Sequence, residues 1–329
     1  MTYARKTLIS LQDTPYYHVV ARCVRRAWLW GQDEYAGRDY SHRKAWVLQR
    51  LRLQSAVFSI DICAYAVMSN HYHLVLYVDR ARSRGWSRQE VAARWTALYG
   101  APPLVARWTR GEGSEAERAQ AEKIVEVWRA RLSDISWYMK SLNEHLARRA
   151  NAEDDCTGRF WEGRFRSQAL LDEAGLLTAM AYVDLNPIRA GMAPTPQQSD
   201  FTSIYQRIQQ FRCVEQGSLS NPSLPHLRLF KTATQRAQAL PCELEEYVAL
   251  VDWTGRAIRS DKRGSIDSRR PALLQRLSID AIAWEQAMQR EGNVFGRALG
   301  KLNHLKLHAQ TLGQSWIRGV RQAEKMYSR

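Results

Sequence analysis

Residues 57–78 read VFSIDICAYAVMSNHYHLVLYV, and this stretch decides the fold. It holds two runs rich in β-branched and aromatic residues, 57–67 and 71–78, a composition typical of β-strands. Met68-Ser69-Asn70 between them is a short turn-forming break. The stretch therefore predicts two consecutive strands joined by a tight connection.

The residues upstream extend this pattern. Residues 16–24 have the same strand-like composition. Residues 41–56 carry apolar side chains at helical spacing behind Ser41, which predicts an amphipathic helix capped by that serine. The predicted order of elements is β-α-β-β.

Downstream, helices dominate the pattern. Residues 80–134 are polar with Pro and Gly breaks and predict an inserted set of helices, and 133–150 predicts a further helix. A loop rich in Arg and aromatic residues follows at 157–167. Asp172 is a good N-cap for a helix that runs to about residue 185, where Asn186-Pro187 is expected to end it.

Length and charge bound the class of protein. The 329 residues carry a net charge of +15 and are 45% hydrophobic, which excludes a disordered chain, a collagen and a small disulfide scaffold. Two domains are expected: 1–214, and a basic, mainly helical region 215–329 that opens with a polar linker at 215–222. The excess of cations indicates a polyanionic partner, with nucleic acid the first candidate, and region 215–329 is expected to assist in binding it.

Cellular location is read from what the sequence lacks. It has no run of roughly 18 apolar residues and no apolar stretch near its start, so a cytosolic location is expected. The five cysteines are scattered without a C-x-x-C pair, and we expect reduced thiols.

The His-Tyr-His triplet at 71–73 is the first candidate site. Because side chains alternate along a strand, His71 and His73 share one face and can bind the same metal ion, while Tyr72 and Leu74 face the core. The alternative is a pair of histidines that only form hydrogen bonds at a sheet surface.

The end of the predicted helix 172–185 is the second. Tyr182 and Asn186 lie one helical turn apart and away from the apolar stripe, and the Asn186 amide oxygen could bind a hard cation. Small residues on that side, Gly175 and Ala179, would let a backbone or a ligand approach. The alternative is an amphipathic tyrosine followed by a helix stop. Tyr138 is a rival nucleophile, ranked lower because it lies on the apolar stripe of its own helix.

Basic residues interleaved with aromatic rings suit a nucleic-acid strand, since bases stack on rings while guanidinium groups bind phosphates. In the loop at 157–167 the candidates for this role are Arg159, Trp161, Arg164, Phe165 and Arg166. A second basic run adds Arg256, Arg259, Lys262 and Arg263, although it could equally be a charged surface turn. His304 and His308 are spaced for zinc but lack a catalytic Glu between them, so we expect packing residues.

Four separated motifs, taken in order, resemble a known family. They are YHVVAR at 17–22, MSNHYHL at 68–74, GRFWEGRF at 158–165 and YVDLNPIRAG at 182–191. Together they resemble the REP-associated tyrosine transposases, which are single-tyrosine HUH transposases related to the IS200/IS605 insertion sequences. The likeness covers roughly residues 15–205.

The resemblance implies an α+β fold with a ferredoxin-like antiparallel sheet, in which the histidine strand faces the tyrosine helix. It implies that Tyr182 is the nucleophile and that His71, His73 and Asn186 hold Mg²⁺ or Mn²⁺, with Asn186 at the position where relatives carry Gln. The implied substrate is single-stranded DNA with a REP-type hairpin, cut through a 5′-phosphotyrosine intermediate. Arg189, in the fourth motif, joins the expected DNA contacts.

Two departures limit what carries over. Tyr72 replaces the usual aliphatic residue between the histidines, and the chain is much longer than the short members, so the roles of residues 80–134 and of the region after 215 do not transfer. Two other functions stay open. One is a structured nucleic-acid binding protein that no longer cleaves. The other is a replication initiator or relaxase, which a second tyrosine on the nucleophile helix would favour. Monomer and homodimer are both compatible with the sequence.

Overall fold

A computed structural model of the chain describes residues 8–24, 31–33, 37–215, 223–232, 239–258, 270–289 and 296–327. The strands in that part of the chain are β1 (Tyr16–Arg22), β2 (Gln32–Asp33), β3 (Arg38–Asp39), β4 (Ile60–Val67), β5 (His71–Val78), β6 (Arg166–Leu170) and β7 (Ala298–Leu299). The helices are α1 (Arg43–Val57), α2 (Arg80–Gly85), α3 (Arg88–Tyr99), α4 (Pro103–Thr109), α5 (Glu115–Arg131), α6 (Ile135–Glu153), α7 (Glu173–Asp184), α8 (Asn186–Arg189), α9 (Ser203–Glu215), α10 (Leu244–Ala257), α11 (Ala272–Arg276), α12 (Ala281–Gln289), α13 (Leu302–Thr311) and α14 (Val320–Met326). None of the helices in these ranges has the length and apolar character needed to cross a bilayer.

The centre of the fold is a five-stranded sheet in the order β4-β5-β1-β6-β7. The first four strands pair antiparallel, and the short β7 pairs parallel with β6. With helices packed around this sheet, the protein has a mixed α+β fold.

The two sheet faces carry different helices. The phenol of Tyr72 donates a 2.5 Å hydrogen bond to Asn143 on α6, and α1 packs against α6 on this same face. His73, the next residue of β5, points the other way toward Tyr182 on α7. Tyr72 and Leu74 are fully buried, which confirms their expected core positions.

The inserted region is helical, as expected, and comprises α2 to α5. Trp95 of α3 stacks on Trp128 of α5 with ring centroids 5.4 Å apart, so these helices pack around their own aromatic contacts. Arg129 secures the end of α2, because its Nη1 donates to the carbonyls of Ser83 and Trp86 at 2.7 Å each.

Several element boundaries differ from the expected ones. Helix α1 continues through Val57, so the following strand begins at Ile60, and the N-cap is His42, without a side-chain hydrogen bond, rather than Ser41. Asn186-Pro187 does not end the helical path, because α8 follows α7 directly with proline in its first turn, where the missing N–H costs nothing. The sequence patterns do not predict strands β6 and β7, which the structure contains.

Residues far along the chain close the sheet beside α7. Gly175 allows the approach, since a Cβ there would lie 2.5 Å from the carbonyl oxygen of Leu299. Asp172 caps α7 through Gly175 N–H at 2.8 Å and also accepts a hydrogen bond from Lys301 N–H at 2.6 Å. The division at residue 214 stays a prediction, and described residues beyond it contribute β7 to this same sheet. The expected linker at 215–222 lies, apart from residue 215, outside the described residues.

Candidate active site

Three neighbouring strands place polar side chains on the sheet face that α7 covers. His18 comes from β1, His73 from β5 and Gln168 from β6, and all three are buried. His18 Nε2 lies 2.9 Å from His73 Nδ1, and His18 Nδ1 lies 3.3 Å from Gln168 Oε1. The side chains thus form one continuous hydrogen-bonded row across the sheet.

The row has one consistent proton assignment. The Gln168 amide donates through Nε2 to the carbonyl of Gly296 at 2.8 Å, so Oε1 faces His18 as an acceptor. His18 Nδ1 therefore carries the proton of its neutral ring and Nε2 accepts from His73 Nδ1–H. The remaining nitrogen, His73 Nε2, keeps its lone pair, and it is buried without a hydrogen-bond partner among the described residues.

His71 lies beside this row, half-buried, with its ring centroid 4.9 Å from that of His73. Its Nδ1 is 2.6 Å from Oδ1 of Asn70, the last residue of the turn before β5. An amide oxygen in that place holds the ring proton on Nδ1 and leaves Nε2 of His71 as the basic nitrogen.

Burial keeps all three imidazoles neutral. Desolvation lowers the pKa of His18 to about 4 and that of His71 to about 4, with Arg189 adding in both cases and Arg22 in the second. Desolvation also lowers the pKa of His73 well below its ordinary value, and the neighbouring histidines push it the same way. Neutral imidazole is the form that binds metal ions.

Helix α7 places Tyr182 over the histidines. The Tyr182 ring centroid lies 6.2 Å from that of His18 and 6.1 Å from that of His73, both edge-on, and the residue is 7% exposed. The C-terminal end of α7 is fixed by Asp184, which accepts hydrogen bonds from Ser203 Oγ at 2.5 Å and Tyr247 Oη at 2.6 Å. Tyr182 is thus held by a helix anchored at both ends.

Arg189 lies against the ring of Tyr182. Its guanidinium carbon is 3.9 Å from the Tyr182 ring centroid, and its Nη2 donates to Asn186 Oδ1. Arg189 was expected as a DNA contact, and the structure also places it against the tyrosine. A cation at this distance from a ring face makes a favourable cation–π contact.

The residues fit a divalent cation in part. His71 and His73 are adjacent on one strand face and favour their neutral forms. His73 Nε2 has no hydrogen-bond partner among the described residues, which leaves its lone pair available to a metal ion. Asn186 Oδ1 accepts from Arg189, while Asn186 Nδ2 is buried and has no hydrogen-bond partner in the described part of the chain. A cation at that oxygen would compete with the guanidinium. No group of three His, Cys, Asp or Glu side chains able to hold a metal occurs in the described ranges.

The rival nucleophile Tyr138 lies in the core on the other sheet face. It is fully buried against Phe58, with ring centroids 5.1 Å apart, and its hydroxyl has no partner among the residues described. Burial raises the pKa of the Tyr138 phenol well above its ordinary value. This position supports the lower rank given to it.

The basic loop at 157–167 carries exposed cations and half-buried aromatic rings. Arg159, Arg164 and Arg166 are exposed. Trp161 and Phe165 are half-buried, and the Trp161 indole N–H donates to the Asn143 carbonyl at 2.9 Å. Base stacking by these two rings stays a prediction.

Of the four C-terminal candidates for DNA contact, the structure describes Arg256 alone. Arg256 is exposed on α10 and forms a 2.5 Å ion pair with Asp252, whereas Arg259, Lys262 and Arg263 lie outside the described residues. His304 Nδ1 lies 2.7 Å from Asp172 Oδ2, and His308 Nδ1 lies 2.9 Å from Asp13 Oδ2, so both histidines make structural hydrogen bonds to carboxylates.

The sequence patterns do not single out His18 and Gln168 as site residues. Strand alternation could have identified His18, because Tyr17, Val19 and Ala21 of β1 are core residues on one face and His18 lies on the other. A polar residue on that other face of a central strand is a candidate site residue.

Comparisons with known proteins give one distant match. A solved structure described as "Structure of the REP associates tyrosine transposase bound to a REP hairpin" matches at 12% identity, covering 73% of this chain and 97% of that chain, with a TM-score of 0.36. No family model matches the chain, and no curated protein matches it.

Proposed function

We propose that the protein is a single-strand DNA endonuclease and strand transferase that uses Tyr182 as its nucleophile. The observation that carries the proposal is the placement of the Tyr182 ring about 6 Å from two neutral, buried histidines. A strand order of β4-β5-β1-β6 with α1 and α6 on one face supports a ferredoxin-like core.

In the proposed reaction, Tyr182 Oη attacks a backbone phosphorus of single-stranded DNA. The new phosphorus–oxygen bond forms as the bond to the 3′ oxygen breaks, the phenol loses its proton and the departing oxygen gains one. The product is a 5′-phosphotyrosine and a free 3′-OH. Because the phosphodiester energy is kept in the linkage, a second 3′-OH can reverse the reaction and join strands.

The chain's own residues orient these groups. His71 and His73 would hold Mg²⁺ or Mn²⁺, together with the Asn186 oxygen if Arg189 shares it. The bound ion would polarise the phosphate and stabilise its developing charge. Arg189, whose guanidinium carbon lies 3.9 Å from the Tyr182 ring centroid, places a positive charge beside the nucleophile. Exposed Arg159, Arg164 and Arg166 suit the DNA backbone, and a REP-type hairpin is the proposed substrate.

The test is formation of a covalent adduct. The parent protein, incubated with single-stranded hairpin oligonucleotides and Mn²⁺ or Mg²⁺, should give a protein–DNA species that survives a denaturing gel. Tyr182→Phe should remove it, while Tyr138→Phe, the matched control, should keep it. An adduct that persists in Tyr182→Phe would refute the assignment of the nucleophile.

A non-cleaving nucleic-acid binding protein is the second candidate. One observation favours it, namely that Tyr182 is only 7% exposed and lies under Arg189. Binding that survives chelation of divalent metal, with no adduct under either metal, would establish this alternative.

A further inference from the structure

A basic cleft lies on the side of the sheet away from Tyr182. It has a volume of about 670 Å³ and is walled by α1, α3 and α6. The side chains that matter are Arg50 from α1, Tyr99 from α3, and Trp137, Lys140, His145 and Arg149 from α6. Because α3 belongs to the inserted helices, the insertion supplies one wall of the cleft.

The charge of the cleft is unbalanced. The described residues that line it include four cations, Arg50, Lys140, Arg148 and Arg149, and one carboxylate, that of Glu144, which pairs with Arg148. Among the described residues, the other three cations have no carboxylate within ion-pair distance. A site of this kind attracts an anion with several charges.

Arg50 adds a specific unmet donor. Its Nη2 donates to Ser141 Oγ at 2.8 Å, but its Nε is buried without a partner in the described part of the chain. A buried guanidinium N–H without an acceptor is costly, and a ligand oxygen would satisfy it. His145, in the same wall, has its pKa lowered by burial and by Arg50 and Arg149, which favours its neutral form.

Aromatic rings stand among these cations. Trp137 has the Arg131 guanidinium 4.1 Å from its ring centroid and the Lys140 ammonium at 4.7 Å. The Tyr99 ring lies 6.5 Å from Trp137, almost perpendicular to it, and Tyr99 is 38% exposed. Alternating cations and accessible rings suit a strand that presents phosphates and flat bases in turn.

We propose that the basic cleft binds a second segment of single-stranded nucleic acid, with phosphates at Arg50, Lys140 and Arg149 and a base against Tyr99. The choice of nucleic acid rests on the proposed function, whereas the cleft itself is separate from Tyr182. An acidic protein is the less suitable partner, because carboxylate side chains gain nothing from the rings.

The experiment measures binding of a fluorescein-labelled oligothymidylate to the full chain by anisotropy over a series of salt concentrations. The double variant Lys140→Glu/Arg149→Glu should bind at least about tenfold more weakly, and the slope of log affinity against log salt should fall by about 1.4 for two lost single-strand phosphate contacts. Tyr99→Leu should weaken binding about fivefold or more with the slope unchanged.

The matched control is Lys123→Glu/Arg118→Glu, an identical charge change on exposed residues of α5 outside the cleft. It should keep the parent slope. Equal losses in the two double variants would overturn the proposal, since only net charge would then matter. If the cleft double variant fails to fold, Lys140→Gln at the exposed Lys140 carries the test, with a slope reduced by about 0.7.

Two further outcomes separate the proposals. Equal competition by polyglutamate and by oligothymidylate would overturn the choice of nucleic acid. Cleft-dependent binding without any Tyr182 adduct would sustain the cleft and refute the proposed cleavage, and an adduct with cleft-independent binding would do the reverse.

Discussion

Replacing Gly175 by alanine should destabilise the protein, although alanine normally stabilises a helix. A Cβ at this position would lie 2.5 Å from the carbonyl oxygen of Leu299 and 2.9 Å from its carbonyl carbon. Both are backbone atoms of a strand paired with β6, so no side-chain rotation relieves the contact.

The magnitude follows from three contributions. Restoring an ordinary contact of 3.4 Å requires Leu299 to retreat by about 0.9 Å, and overpacking of this kind costs roughly 1–3 kcal/mol. The retreat also breaks or stretches the 2.9 Å hydrogen bond from Leu171 N–H to the Leu299 carbonyl, a loss of about 1 kcal/mol. Alanine returns up to about 1 kcal/mol of helix propensity. The expected net loss is about 1–3 kcal/mol.

Equilibrium urea unfolding measures this difference directly. Gly85→Ala is the matched control, because Gly85 is also helical and a Cβ there meets nothing within 4 Å. The control should be neutral or slightly stabilising. A Gly175→Ala protein as stable as its parent would refute this reasoning.

Three other predictions concern buried polar groups. Tyr138→Phe should keep or raise the free energy of unfolding by up to about 1 kcal/mol, since it removes an unpartnered buried hydroxyl; a loss above that size in thermal melts would contradict it. Nitrogen-15 NMR of the metal-free protein near pH 7 should find His73 protonated on Nδ1, and an Nε2–H signal would refute the proton row through His18. The folded-state pKa of His18 is about 4 and lies below its unfolded value near 6.5. The free energy of unfolding should therefore fall as pH falls from 6.5 to 4, by up to about 1.4 kcal/mol per pH unit for this group. His71, whose pKa is also lowered to about 4, should contribute in the same direction. Urea unfolding at a series of pH values checks this, and constant stability from pH 6.5 to 4 would contradict it.

Local pattern was sufficient for the histidine strand and the tyrosine helix. Alternation along β5 predicts that His71 and His73 share one face. Asp172 predicts the start of α7, and its side chain caps that helix in the structure. These signals are short-range, because they depend on strand period and helix capping alone.

The rest of the site depends on pairing between distant segments. Residues 166 and 167 fall in the loop predicted at 157–167, yet they belong to β6, because β1 and β7 supply partners on both sides of that strand. No local pattern indicates that Gln168 would meet His18, or that Gly296 would fix the orientation of the Gln168 amide. Such contacts arise only when the whole sheet is assembled.

The bond between Gln168 and Gly296 joins residues 128 positions apart, and this has a consequence for biosynthesis. At roughly 5–20 residues per second, a ribosome needs roughly 6 to 26 s to extend the chain from the first to the second. During that interval His73 and Tyr182 have already been made, while the carbonyl that completes the proton row has not. The nascent chain therefore carries every group proposed for strand cleavage well before the segment that completes their hydrogen-bonded row is translated.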